Sequence, residues 1–136
     1  MEINRKQELS KYRQDQAEQC LRSAKLLFEA EDYRGAANRA YYAIYHAIRS
    51  IIAYDGVDFK RHSGNMSYFR QEYIKTGIFD VELSDMITLA SEARGGSDYN
   101  DFYMISKTEV QEQINNAEVF LNCVETYLSD KENNEM

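Results

Sequence analysis

The sequence has no proline and only six glycines in 136 residues. Proline removes a backbone donor and clashes with the preceding turn, so its absence lets long helices run unbroken. Cysteine is scarce as well. Cys20 and Cys123 fall inside helical patterns and lack metal-ligand spacing, which reads as two buried thiols in a reducing compartment. No segment resembles a signal peptide or a membrane span, because His46 and Arg49 interrupt the most apolar helix. A cytoplasmic protein with no membrane partner is the expectation.

Chemistry is narrowed by further absences. "ARGGSD" has neither the spacing nor the lysine of a P-loop. No paired carboxylates share a plausible pocket, and no serine or cysteine nucleophile stands beside a base. Asp98 and Asp101 lie three apart without a neighbouring histidine, so neither a metal nor another cofactor is expected.

What remains is 43% hydrophobic and 29% charged, the balance of a globular protein. The length suits a single domain over 1–136, with a core over about 8–128 and an acidic tail over 129–136. A net charge of -7 argues against broad nonspecific nucleic-acid binding, which leaves a basic footprint. Part of that acidity lies in the terminal "SDKENNEM", so a local site for a phosphate or a short RNA stays open.

Helical periodicity dominates. A first helix is expected over about 4–30 with Leu9, Tyr12, Cys20, Ala24 and Leu27 as its stripe. A second begins after Asp32 as N-cap and runs to about Tyr54, with Ala37, Tyr41, Ile44, Ile48 and Ile51 as a packing seam. Shorter helices follow near 64–75 and 82–94, with Gly95-Gly96 as a break. The last opens at the capping box Ser106–Glu109 and carries Val110, Ile114, Ala117, Leu121, Val124 and Leu128 at four-three spacing. The fold class is all-α: an up-and-down bundle of about five helices, three long and two short.

"NRAYYAIYHAIRS", residues 38–50, raises the functional question. Arg39, Tyr42, His46 and Arg49 gather on the side of the second helix opposite Ile44, and the face is expected to point away from its own bundle toward a two-fold partner. Metal-free RNA cleavage requires a proton-transfer group and a cation for the phosphorane. Histidine and arginine supply these, and a tyrosine can stack on a base. The same residues also suit an ordinary solvated or partner-facing helix side, with the tyrosines as packing.

Three further stretches follow that helix in order: "FKRHSGNMSYF", "YIKTGIFD" and "ASEARGGSDYNDF". Together with "AANRAYYAIYHAIRSII" they make a succession that resembles the HEPN domain proteins, in the small stand-alone branch of prokaryotes, over about residues 8–128. The resemblance implies a helical bundle that dimerises. It implies two functions in different members: metal-independent ribonucleases, some of them toxins partnered by a minimal nucleotidyltransferase, and inactive binding or assembly modules. Active members carry an arginine, four to six intervening residues and a histidine. Arg39 and His46, with six residues between them, meet that spacing as the catalytic pair. The chain departs from the pattern in two respects: Ala40 stands where active members carry a polar residue, and the pair lies on the second helix rather than a later one.

Lys60, Arg61 and His62 concentrate positive charge at a helix start, either to hold an anion or as a solvated loop capped by Ser63. Arg94 and Tyr99 face phosphate and base in one reading of "RGGSDYNDF"; in the other, that stretch is an inter-helix turn with Tyr99 anchored in the core. Three functions are therefore carried forward: endoribonuclease or toxin component, non-catalytic dimeric module for a nucleotide, RNA or nucleotidyltransferase, and purely structural dimer.

Overall fold

A computed structural model describes residues 2–99 and 105–135, with side chains over 5–95 and 105–134. Five helices follow in order: α1 (Glu2–Glu29), α2 (Tyr33–Ile52), α3 (His62–Phe69), α4 (Glu82–Tyr99) and α5 (Lys107–Glu135). A 3-10 turn, Ala53–Asp55, extends α2, and a π-helical turn, Arg70–Ile74, extends α3. There is no strand among the described residues, and the all-α bundle is as expected.

Local chemistry explains most boundaries. The Asp32 carboxylate accepts from the Gly35 amide at 2.9 Å and starts α2. Ser106 and Glu109 close a reciprocal capping box at the start of α5, with the Glu109 amide donating to Ser106 Oγ at 3.1 Å. Gly56, at φ 69°, ends the 3-10 turn in the left-handed region that glycine occupies without penalty.

Helix α2 lies at the centre of the bundle. Ala36, Ala37, Ala40, Ala43 and Ala47 are all buried, so neighbouring backbones approach it closely on several sides. The seam Ala37, Tyr41, Ile44, Ile48 and Ile51 is buried as expected, as is the whole stripe of α5 from Val110 to Leu128. Arg13 meets Arg49 and Cys20 meets Arg39, so α1 runs antiparallel to α2. Lys25 bonds Glu118 at 3.0 Å across α1 and α5.

Two expectations are corrected. The buried face of α1 is Ser10, Arg13, Ala17, Cys20, Leu21 and Ala24, whereas Leu9 and Tyr12 are exposed. Small residues there let α1 settle against α2, and that contact outranks the larger apolar side chains. Helix α4 runs through Gly95 and Gly96 to Tyr99, where a break at the two glycines was expected. Glycine costs a helix about 1 kcal/mol relative to alanine, set against the burial of Ala93 and the contact of Arg94 with Tyr41 and Tyr42. Helix α5 continues through the acidic end to Glu135.

Candidate functional site

Arg39, Tyr42, His46 and Arg49 lie along one side of α2, and three other elements close over them. From α1 comes Arg13, only 6% exposed. Its Nη1 donates to the Arg49 carbonyl at 3.1 Å and its Nη2 to the Asp58 carboxylate at 3.3 Å. Arg49 Nη2 reaches the same Asp58 oxygen at 3.2 Å. Cys20 Sγ, also from α1, stands 3.9 Å from Arg39 Nη1. From α3, His62 places Nδ1 2.8 Å from Tyr41 Oη and stacks on Tyr45 at 3.9 Å. From α4, Arg94 Nη2 donates to Tyr42 Oη at 3.3 Å, and its guanidinium carbon lies 4.8 Å from the Tyr41 ring centre.

The expectation that this face points away from its own bundle is therefore corrected. It is half-buried within one chain, because α1, α3 and α4 each contribute a side chain to it. The structure brings Arg39, Tyr42, His46, Arg49, His62 and Arg94 into one cleft from three separate stretches of sequence. Lys60 and Arg61 are exposed on the loop leading into α3, and none of the cleft contacts among the described residues involves them. Arg61 is the N-cap residue of α3 without a side-chain cap, and Ser63 is exposed inside the first turn rather than capping it. The Tyr99 backbone ends α4, and its side chain lies outside the described residues.

Electrostatics set the states of these groups. Arg39 donates Nη2 to Asn38 Oδ1 at 2.8 Å and lies over the Tyr42 ring at 5.0 Å. The His46 ring is 6.0 Å from both Tyr42 and Tyr45. Its Nδ1 is buried and has no hydrogen-bond partner among the described residues. Burial lowers the His46 pKa to about 4, with Arg49, Arg39, Arg13 and His62 acting in the same direction. At neutral pH the imidazole is thus uncharged and able to accept a proton. Burial also holds the Tyr41 phenol up at about 12, so it stays a neutral hydroxyl.

The loop joining α2 to α3 is fixed by one buried side chain. Asn65 Oδ1 accepts from the Phe59 amide at 2.9 Å, while its Nδ2 donates to the Phe59 carbonyl at 3.2 Å and to Tyr45 Oη at 2.8 Å. A Cβ at Gly64 would meet Phe59 Cβ at 2.9 Å, so glycine is needed for this close approach. Together they place Asp58 and His62 against α2.

Sequence reasoning missed Arg13 and Asp58, and it read Tyr41 as seam alone. Ser10, Ala17 and Ala24 recur at seven-residue spacing and mark the contact face on which Arg13 also falls. That pattern of small residues was the available signal. No group of three or more His, Cys, Asp or Glu side chains suited to a metal ion occurs among the described residues, and no helix among them is long and apolar enough to cross a membrane. The positive charge in the cleft comes from the Arg13, Arg39, Arg49 and Arg94 guanidiniums, offset in part by the Asp58 carboxylate, a set that suits an anion.

A helical bundle with a cationic, tyrosine-walled cleft on its central helix is the class these features define. The HEPN domain family model matches residues 10–127, and the chain belongs to that family. It is 32% identical over 128 residues to a UPF0332 protein of Thermotoga maritima, covering 94% of this chain and 97% of that one. It is 33% identical over 131 residues to a Methanocaldococcus jannaschii protein named "Putative toxin MJ0142", covering 96% and 88%. A second protein of that organism, "Putative toxin MJ0605", is 30% identical over 114 residues, 84% of each chain.

Proposed function

We propose that this chain is a metal-independent endoribonuclease of toxin type, with its site in the α2 cleft. The observation that carries the reading is the convergence of Arg39, Arg49 and Arg13 around the uncharged His46, with Arg94 over the neighbouring Tyr42 ring. In this mechanism Arg39 holds a non-bridging phosphate oxygen and stabilises the phosphorane charge. His46 takes the proton of the attacking 2′-hydroxyl, and Tyr42 offers a stacking face to a base. The product is a 2′,3′-cyclic phosphate. The toxin names of two relatives agree with this reading. A two-fold partner is part of it, with the exposed Leu9 and Tyr12 beside Arg13 offering apolar surface next to the cleft.

Ala40 directly after Arg39, and the low pKa of His46, favour a second reading: a non-catalytic module that holds a nucleotide, an RNA or a minimal nucleotidyltransferase in the same cleft. Cleavage of a labelled mixed-sequence RNA in EDTA separates the two. The first reading predicts cyclic-phosphate ends with the wild type and a loss of about 10²–10⁴-fold in His46→Ala. EDTA-sensitive cleavage, or equal activity of the variant, would sink this mechanism. RNA binding without cleavage, or copurification with a nucleotidyltransferase, supports the second.

A further inference from the structure

In-line attack on a phosphodiester frees a proton at O2′ and calls for one at the departing O5′. The two oxygens lie on opposite sides of the phosphorus, so a base at one does not reach the other. His46, uncharged and acting as the acceptor of the 2′ proton, is not the donor to O5′. We propose that His62 is the second proton-transfer group, the donor to the leaving oxygen, and that Tyr41 is the residue that positions it. The assignment rests on the ribonuclease reading above.

The geometry carries it. The rings of Tyr42 and Tyr45 are neighbours of both imidazoles. His46 is 6.0 Å from each of them, while His62 is 5.7 Å from Tyr42 and 3.9 Å from Tyr45. A phosphodiester bound against the half-buried Tyr42 ring would have both histidines within its neighbourhood. His62 is also the better anchored of the two. Its Nδ1 contacts Tyr41 Oη at 2.8 Å, its ring stacks on Tyr45 at an interplanar angle of 28°, and Asn65 fixes the Tyr45 hydroxyl from behind. The neutral Tyr41 hydroxyl can accept from Nδ1–H of the imidazolium, which turns Nε2–H toward the substrate.

The groups facing His62 are Tyr41, Tyr42, Tyr45, His46 and Arg49 from α2 and Arg94 from α4. Burial, then Arg94 and Arg49, lower its pKa from the ordinary value. A bound phosphodiester opposes those arginines and restores the proton when it is needed. The step balances: the O2′–P bond forms as P–O5′ breaks, His46 gains the 2′ proton and His62 Nε2 gives its own to O5′. Nothing is oxidised, and solvent resets both rings.

The test compares two RNAs in EDTA, one ordinary and one with sulfur in place of the bridging 5′-oxygen. A thiolate leaves without a proton. His62→Ala is expected to lose about 10²–10⁴-fold on ordinary RNA and to cleave the sulfur-linked RNA nearly as fast as wild type. Tyr41→Phe, which removes only the hydroxyl, should show a smaller loss with the same rescue. His46→Ala should be slow on both. Wild-type activity retained by His62→Ala on ordinary RNA, or equal losses on both substrates in His62→Ala and Tyr41→Phe, would overturn the assignment while leaving the ribonuclease reading intact. A wild type inactive on both substrates would remove that reading and this assignment with it.

Discussion

Burial lowers the pKa of His46 to about 4, and the neighbouring Arg49, Arg39 and Arg13 guanidiniums push the same way. The folded chain therefore resists a proton that the unfolded chain accepts near its ordinary pKa of 6.5. As the pH falls below that value the unfolded state takes up the proton first, so stability is complete above it and is lost down to about pH 4. Allowing for solvent screening of a half-buried ring, the loss is about 1–2 kcal/mol. Urea unfolding at several pH values should show this slope in wild type and a flatter one in His46→Gln; identical slopes would contradict it. At this scale the sequence was partly informative. Arg39 and His46 stand two helical turns apart in plain view, and a helix repeat alone puts them on one face. Arg13 could not be singled out, because in "KYRQDQ" it looks like any surface charge. Only the crossing of α1 over α2 buries it and points it at Arg49 and Asp58.

Elements place the rest of the cleft, and the loop between α2 and α3 matters most. Asn65 supplies both backbone bonds of Phe59 and the bond to Tyr45 from a fully buried position. Asn65→Ala leaves those groups without their partner, a cost of about 1–3 kcal/mol. Denaturant unfolding should record the loss, and the near-ultraviolet dichroism of the tyrosines should change as His62 comes away from Tyr45; an unaltered midpoint would contradict the role. Periodicity revealed α2 and α5 almost completely, since strict four-three spacing has one structural meaning. It failed where a local signal was weaker than packing. Gly95-Gly96 reads as a break, yet α4 continues because Ala93 is buried and Arg94 lies against Tyr41 and Tyr42. On α1 the large apolar residues misled, and the small ones marked the buried face.

For the whole molecule, a net charge of -7 and a cationic cleft are compatible because charge acts locally over about 10 Å at ordinary ionic strength. Arg13, Arg39, Arg49 and Arg94 come from three helices, and the chain's acidic C-terminal stretch belongs to a fourth. No sequence pattern could announce that assembly, because residues 13, 46, 62 and 94 become neighbours only when the bundle closes. The family resemblance reached the fold, and the geometry supplies the reason to look at this cleft. With only two histidines in the chain, each imidazole is a separate reporter. The most direct measurement is a nuclear magnetic resonance titration of both rings, with and without a short RNA made uncleavable by 2′-O-methyl groups. Both rings are expected to shift on binding, with the His46 pKa rising from about 4 as phosphate offsets the arginines. Saturating RNA that leaves both titrations unchanged would contradict this.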